Sequence, residues 1–504
     1  MKKISHKIKL GDSVNFNNNA AVCVGTGRMN LALRHEYHKQ LEKTQKDIGF
    51  TYIRGHGLFC DDMAVYHTYE EDGAEKEEYN FKYIDLVFDD YLSLGIKPFV
   101  EFGFMPKKMA SGEQTIFWWK GNVTPPSDYG KWERLIKATV THWIKRYGED
   151  EVSSWYFEVW NEPNLRGFWK DADMEEYFKL YEVTARAVKQ VCPRLRIGGP
   201  AICGVDDERW LRLFLEFCRD NKVPLDIVTR HAYATELPEH VGHYAYQDLR
   251  PPEVFLKELD VSRGIIDSFP EYKGAEMHIT EFNTSYTPLN PIHDNNLNAA
   301  FVARLLSEMG DTCASYSYWT FGDVFEEAGV SFTPFSGCFG LLTNGSVPKP
   351  TYHTFVFFKD LYEQAIARTE NYIITKSAEN NLRGIAWNIV EKSKNADDEI
   401  SLNLSLEIPN GEYFMFFKKT DEKVCNPLKV WLDMGSPAYP SGEQLEILKI
   451  CAQPQIETKR ISVSASNTEL DFTLPPNAVY YFELTRVEQE VDRGFDKTRI
   501  QGAN

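Results

Sequence analysis

Two kinds of segment alternate through the first 366 residues, and this alternation limits the possible folds most strongly. Eight short runs rich in β-branched or aromatic residues each stop at Gly, Pro, Asn or a polar cluster, which is typical of strands. They lie at 20–27, 50–57, 97–105, 154–163, 195–202, 225–233, 275–283 and 314–321. Longer amphipathic runs lie at 33–47, 79–94, 128–147, 175–191, 206–221, 253–267, 293–309 and 352–366. The alternation predicts an α/β fold, a (β/α)8 TIM barrel, with a doubly wound open sheet as the competing topology.

The pattern changes after about residue 368, where short β-rich runs follow one another with turn signals between them. Such a succession predicts a C-terminal β-sandwich domain. We therefore expect a catalytic barrel at 20–367 and a β-sandwich at 368–486. Residues 1–19 are expected to pack on the sandwich. The polar tail at 487–504 is expected either to be loosely ordered or to dock on a neighbouring subunit.

Composition restricts the class of partner and the compartment. The 504 residues carry 56 basic and 74 acidic side chains, a net charge of −18, which argues against nucleic acid and anionic membrane surfaces. The nine cysteines are an odd number without a Cys-x-x-Cys pair, which indicates reduced thiols. The sequence shows neither an 18-residue apolar run nor an apolar run of signal length near its start. We therefore expect a cytoplasmic protein that acts on a neutral substrate.

Reactive side chains are expected where the barrel strands end, because active sites of this fold lie at that face. Glu162 follows the fourth predicted strand and Glu281 ends the seventh. A lone glutamate there is more often a helix cap or an ion-pair partner. Two of them can face each other across the barrel mouth, because strands four and seven lie on opposite sides. Glycoside hydrolysis requires such a pair, one carboxyl group protonated and the other ionised.

The residues around these glutamates also carry a family resemblance. The run WYFEVWNEPNL at 155–165 contains Asn161-Glu162-Pro163 on strand four, and with Glu281 ending strand seven it resembles glycoside hydrolase clan A. The fuller run resembles family 39, which holds β-xylosidases and α-L-iduronidases. Further matching stretches are VGTGR (24–28), YIRGHG (52–57), EFGFMPKKMASG (101–112), GNVTPP (121–126), GGPAICG (198–204), TRHAY (229–233), HITEFNTSY (278–286) and YWTFGDVFEE (318–327). The resemblance covers most of the chain and is closest to the bacterial β-xylosidases.

This resemblance implies roles for the two glutamates and their neighbours. Glu162 matches the acid/base and Glu281 the nucleophile of a retaining enzyme, whose carboxyl groups stand about 5–5.5 Å apart. Asn161 matches the residue that binds the sugar 2-hydroxyl. Arg54 and Tyr233 resemble groups that keep the nucleophile ionised, although Arg54 is also compatible with a structural ion pair.

Further matching positions would surround the sugar. They are His56, His231, Tyr286 and Glu326 for the pocket wall and Trp319 for a stacking platform, with a cis peptide after Trp319. Taken alone, the two histidines would be ordinary core residues.

The implied activity is that of a retaining exo-acting β-D-xylosidase. It would release terminal xylose from short xylo-oligosaccharides by double displacement through a covalent glycosyl-enzyme intermediate. Other clan activities remain open, namely an arabinosidase, an iduronidase-like enzyme or an endo-glycanase, as does a non-catalytic carbohydrate-binding protein. Glu326 near the pocket argues against a uronate, since it would repel a carboxylate.

The sequence contains no recognisable metal cluster or phosphate loop, so we expect neither metal nor cofactor. The family and the tail favour a homo-oligomer such as a tetramer.

Overall fold

The larger part of the protein is a closed barrel of eight parallel strands. The structure, a computed structural model, describes residues 2–392, 398–488, 494–496 and 498–501. The barrel strands are β1 (Cys23–Gly25), β2 (Tyr52–Arg54), β3 (Lys97–Phe102), β4 (Tyr156–Val159), β5 (Arg196–Ile202), β6 (Ile227–Tyr233), β7 (Glu276–Asn283) and β8 (Ser315–Tyr318). Each strand pairs with its neighbours in sequence, and β8 closes the barrel on β1. The predicted barrel is therefore confirmed.

Eight helices of ten or more residues surround the strands; most of them bury one face, whereas α7 is buried along its whole length. They are α1 (His35–Asp47), α2 (Lys82–Ser93), α3 (Tyr129–Tyr147), α4 (Met174–Val191), α5 (Asp207–Asp220), α6 (Pro252–Asp267), α7 (Asn296–Leu306) and α8 (Pro350–Lys359). Helix α4 shows how the sequence sets a helix against the barrel. The Asp173 side chain accepts a hydrogen bond from the Glu176 amide and caps the helix. On its buried face, the Tyr177 hydroxyl donates to the Val159 carbonyl at 3.0 Å and fixes α4 against the end of β4.

Small hairpins extend the loops at the carboxyl ends of the strands. They pair Tyr66–Glu71 with Ala74–Tyr79, Thr115–Ile116 with Gly121–Asn122, and Glu239–Val241 with Tyr244–Tyr246. The sequence did not predict these hairpins, because they are short and carry little apolar alternation. They follow β2, β3 and β6, so they lie at the face where the predicted site residues meet.

The second domain is built from two sheets, which confirms the C-terminal sandwich. A six-stranded antiparallel sheet contains β9 (Gln364–Arg368), β10 (Tyr372–Lys376), β11 (Leu382–Trp387), β13 (Gly411–Thr420), β14 (Gln455–Val463) and β16 (Val479–Arg486). The other sheet contains β12 (Ile400–Glu407), β15 (Thr468–Leu474) and the N-terminal strand Lys2–Lys9. The N-terminal strand runs parallel to β12, with Lys2 opposite Ile400 and Lys9 opposite Glu407. The first residues of the chain thus pair with the C-terminal domain.

Two details of this domain differ from the sequence-based expectation. The helix predicted over 352–366 ends at Lys359, and β9 begins at Gln364, because Ala365 and Ile366 are buried in the sheet instead. Two helices, α9 (Pro427–Asp433) and α10 (Gly442–Cys451), lie between β13 and β14 and were not predicted. Their start signals are present in the sequence as an Asn426-Pro427 pair and a capping box from Ser441 to Gln444.

Helices α9 and α10 support the barrel loop that follows β8. Their buried residues Trp431 and Leu448 form a cluster with Phe335 and Val347 of that loop. The accessory domain therefore contacts the chain segment that connects β8 with α8.

The C-terminal tail is described only in part. Within residues 487–504, the positions 489–493, 497 and 502–504 lie outside the described residues, so the predicted docking of the tail concerns a segment of which only parts are described. Among the described helices, none is long and apolar enough to cross a membrane.

The alternation in β12 yields a prediction for stability. Leu404 is fully buried between the two sheets, so Leu404→Ala should lower the free energy of unfolding by about 2–5 kcal/mol through lost transfer energy and the cavity left behind. Calorimetry or denaturant titration measures this. The control is Ile456→Ala on β14, where the side chain is 66% exposed and the expected change stays within about 0.5 kcal/mol. Equal losses in both variants would contradict the burial argument.

Candidate active site

The two glutamates singled out by sequence meet at the mouth of the barrel. Glu281 lies on β7, and Glu162 follows β4 after a turn in which Trp160 and Glu162 have φ angles of 69° and 45°. One oxygen of each carboxylate and one ring nitrogen of His231 all lie within 4.8 Å of one another. Carboxyl groups of inverting glycosidases stand about 6.5–9.5 Å apart and those of retaining ones about 5–5.5 Å. The two carboxylates thus approach more closely than the inverting arrangement requires, which favours a retaining reaction.

Glu281 receives hydrogen bonds from two sides. Arg54 donates from Nη1 to Oε1 at 2.5 Å, and the Tyr233 hydroxyl donates to Oε2 at 2.7 Å. Nε2 of His56 lies 3.4 Å from Oε1. Burial raises the pKa of Glu281, but the charge of Arg54 and the Tyr233 hydrogen bond oppose that rise. The net direction is still upward, but these two groups stabilise the carboxylate form against the effect of burial.

Arg54 connects this carboxylate to the rest of the barrel mouth. The guanidinium is completely buried and donates from Nε to Glu158 at 2.8 Å and from Nη2 to Asn161 Oδ1 at 2.9 Å. Its Nη2 also lies 2.8 Å from Glu101. Burial lowers the pKa of Arg54, but the surrounding carboxylates more than offset this and hold it above its usual range. One cation thus joins β2, β3, β4 and β7.

Glu162 lies in a different environment. Its Oε1 is 2.8 Å from Nδ1 of His231. Burial raises the pKa of Glu162 well above its ordinary value, and the negative charge of Glu281 raises it further. Burial, assisted by the charge of Arg54, lowers the pKa of His231 well below its ordinary value, so the imidazole is neutral. Glu162 therefore keeps its proton to higher pH than Glu281 does.

A cavity of about 550 Å³ opens beside the two carboxylates. Most of the sequence-predicted site residues line it, namely His56, Asn161, Glu162, Tyr233, Glu281, Tyr286 and Trp319. Arg54 and His231 are completely buried and contact the carboxylates. The Trp319–Thr320 peptide is cis. Gly25 at the end of β1 leaves room for the Trp319 ring, since a Cβ there would come within 2.5 Å of it.

Glu326 is the predicted pocket residue that the structure places elsewhere. Its carboxylate pairs with Arg28 Nη2 at 2.8 Å and with Arg34 Nη1 at 2.5 Å, outside the cavity lining. The neighbouring Glu327 lines the cavity instead, with Oε1 3.9 Å from Nε2 of His56. Both residues lie in the loop after β8, where no strand periodicity tells which of two adjacent glutamates faces inward. Burial raises the pKa of Glu327 well above its ordinary value, so it is a protonated donor or acceptor.

Sequence reasoning missed the importance of Glu158 and Phe339. Glu158 lies on β4 and accepts from Arg54 and from the Thr280 hydroxyl at 2.7 Å. A charged residue within an otherwise apolar strand could have indicated a buried ion pair. Phe339 lies far along the irregular segment after β8 and lines the cavity. No periodic signal marks its position.

Glu162, His231 and Glu281 also meet the distance requirement for holding a metal ion. The guanidinium of Arg54 contacts Glu281 directly and places a positive charge beside one of the carboxylates that would have to bind the ion. Like charges at such a distance repel strongly in a buried site. The arrangement is therefore better suited to proton transfer and nucleophilic attack than to metal binding.

Comparison with known proteins places the chain in a family. The sequence profile of "Glycosyl hydrolases family 39" matches residues 6–468. A β-xylosidase of Geobacillus stearothermophilus is 49% identical over 481 residues, covering 94% of each chain. A β-xylosidase of Caldicellulosiruptor saccharolyticus is 37% identical over 461 residues, covering 90% of this chain and 92% of its own.

A solved structure agrees in fold. A monomeric β-xylosidase from Caulobacter crescentus superposes with a TM-score of 0.87 at 30% identity, covering 97% of this chain and 100% of that one. The barrel, the paired glutamates and the similarity along nearly the whole sequence lead to one conclusion: this chain is a member of glycosyl hydrolase family 39.

Proposed function

We propose that the protein is a retaining exo-acting β-D-xylosidase that releases terminal xylose from short xylo-oligosaccharides. The observation that carries this proposal is the pair of glutamates within 4.8 Å, one favoured as the acid and the other as the carboxylate. Glu281 attacks the anomeric carbon while Glu162 protonates the leaving oxygen, which gives a covalent glycosyl-enzyme. Water then attacks that carbon and gives its proton to Glu162, and the ester bond to Glu281 breaks.

Asn161 supports both steps by binding the sugar. Its Oδ1 accepts the hydrogen bond from Arg54, which leaves the amide Nδ2 free to donate to the sugar 2-hydroxyl. A hydrogen bond at this hydroxyl strengthens as charge develops in the transition state. Arg54 thereby supports the nucleophile and the sugar-binding amide at once.

The polar lining of the cavity favours a neutral sugar over a uronate. The two arginines among the lining residues are each paired, Arg230 with Asp207 and Arg250 with Glu258. Glu327 faces the cavity as a protonated carboxyl group, which can hydrogen-bond to sugar hydroxyls but offers no positive charge to a uronate. Together with the β-xylosidases among the relatives, this supports xylose. A cavity of this size suits the end of a short oligosaccharide and is an ordinary volume for a small-ligand site.

We further infer a cytoplasmic location and a homo-oligomeric assembly, both from sequence. The nine cysteines are free, and eight are buried, which agrees with a reducing compartment. The Caulobacter relative is monomeric, so the proposed homo-oligomer would be a difference in assembly between two family members.

Product stereochemistry tests the proposed reaction directly. We expect β-xylose as the first product of aryl β-xyloside hydrolysis, because two inversions at the anomeric carbon give net retention. Proton NMR during the first minutes distinguishes the anomers, and aryl arabinosides and polymeric xylan serve as comparison substrates. First release of α-xylose, or a clear preference for either comparison substrate, would refute the proposal.

Removal of the nucleophile should abolish turnover. Glu281→Ala should lower kcat for aryl xylosides by roughly 10³-fold or more, because no carboxylate remains to form the covalent intermediate. Sugar binding, measured by calorimetry with xylose, should persist. The control is Glu208→Ala on the exposed face of α5, which should leave turnover unchanged. Undiminished turnover by Glu281→Ala would rule out this residue as the nucleophile.

Removal of the acid should act selectively. Glu162→Gln should reduce kcat/KM strongly for alkyl xylosides and xylobiose but much less for dinitrophenyl xyloside, since an activated leaving group needs little protonation. Because the pKa of Glu162 is raised, the parent enzyme should lose activity on the alkaline side as this group deprotonates. That alkaline decrease should disappear from the pH profile of Glu162→Gln. An equal loss with all leaving groups would contradict the role as acid.

A further inference from the structure

A buried ionic triad lies behind the sugar pocket, and the reaction steps described above do not use it. Lys349 precedes α8, Asp294 follows β7 and Asp323 follows β8. Lys349 is fully buried, with Nζ 2.7 Å from Asp294 Oδ1 and 2.8 Å from Asp323 Oδ2. The third ammonium proton goes to the Cys338 carbonyl at 2.6 Å. Such a group is strongly constrained, because removing one partner leaves a buried charge without compensation.

The triad forms hydrogen bonds with the backbone of one short segment, residues 337–340. The second oxygen of Asp294 accepts from the Gly337 amide at 2.8 Å, and that of Asp323 accepts from the Gly340 amide at 2.6 Å. The close approach requires glycine, since a Cβ at Gly340 would lie 2.4 Å from Asp323 Oδ1. With the Lys349 contact at Cys338, residues 337, 338 and 340 are all anchored. Phe339 is the one residue between these anchors.

Phe339 links the anchored segment to the sugar pocket. It lines the cavity, and its ring packs edge-on against Phe325 with centroids 5.3 Å apart. Phe325 packs edge-on against Trp319 at 6.1 Å. The amide of Asn283 donates to the Trp319 carbonyl at 2.6 Å and lies 3.5 Å from the Phe339 carbonyl. The triad therefore fixes the backbone on both sides of Phe339, and Phe339 in turn packs through Phe325 against Trp319.

We propose that Lys349, Asp294 and Asp323 are positioning residues that hold Phe339 and the Trp319 ring in place and thereby set the affinity of the pocket for the sugar. This inference rests on the proposed function for the identity of the sugar. The contacts of the three side chains go to one another and to the backbone at Gly337, Cys338 and Gly340, not to Glu162 or Glu281. We therefore expect the triad to affect sugar binding rather than proton transfer or bond formation.

The test separates KM from kcat. Lys349→Met should raise KM for an aryl xyloside and the inhibition constant of xylose by about tenfold, while kcat stays within about threefold, because contacts made equally in ground and transition states are lost. Leu404→Ala is the matched control, since it destabilises the protein in the sandwich without touching the pocket. It should leave both constants unchanged. A folded Lys349→Met with both constants within twofold of the parent would overturn the proposal, as would an equal rise in Leu404→Ala.

Two variants of Asp294 test the positioning role if Lys349→Met does not fold. Asp294→Ala leaves the neutral pair of Lys349 and Asp323 and removes the anchor of Gly337, so both constants should again rise. Asp294→Asn keeps one side-chain oxygen, which can still accept from the Gly337 amide, although it loses the ion pair with Lys349. It should therefore restore part of the affinity that the alanine variant loses. Equal constants in the alanine and asparagine variants would contradict a positioning role.

A failure of the positioning role can be distinguished from a failure of the proposed function. If the parent protein releases no xylose from any xyloside, the function is refuted. A crystal structure of Lys349→Met, or of Asp294→Ala, still tests the triad, because Phe339 should be displaced relative to the parent. An unmoved Phe339 would overturn the proposal irrespective of activity.

Discussion

The active site depends on one buried guanidinium. Arg54 has zero exposure and contacts Glu101, Glu158 and Glu281 together with the amide of Asn161. Isolated burial of any of these charges would be strongly unfavourable, so each group requires the others to be in place. Burial raises the pKa of Glu101 to about 8, which lets it carry a proton near neutral pH and reduces the excess of negative charge around Arg54. The consequence is a rigid arrangement in which the nucleophile and the sugar-binding amide share one support.

The same arrangement explains why the two catalytic carboxyl groups differ. Glu281 has a cation and a phenol as hydrogen-bond donors, whereas Glu162 has a neutral imidazole and a negatively charged neighbour. Two chemically identical side chains within one cavity therefore release their protons at different pH, Glu281 before Glu162. This division of roles follows from their neighbours on β2 and β6, not from the strands that carry the glutamates themselves.

Sequence reasoning succeeded where a periodic pattern or a strand end marks a residue. The barrel strands, Glu162 and Glu281 could all be placed in this way, because parallel strands bring their carboxyl ends to one face. It was less successful in the irregular segment after β8. There Glu326 and Glu327 are adjacent, and only the three-dimensional course of the loop decides that Glu327 faces the cavity while Glu326 pairs with Arg28 and Arg34. The helices α9 and α10 were missed for another reason, since their capping signals stand within a region of strands.

The N-terminal strand has a consequence for synthesis. Lys2–Lys9 finds its partner only when Ile400–Glu407 has been made, nearly four hundred residues later. At about 5–20 residues per second, the ribosome needs roughly 20–80 s to produce that partner. During this time the first strand is an open edge to which another nascent chain could pair. Its lysines at 2, 3, 7 and 9 are charges of the kind that discourage such pairing, so the strand Lys2–Lys9 carries its own protection against aggregation until its partner strand emerges.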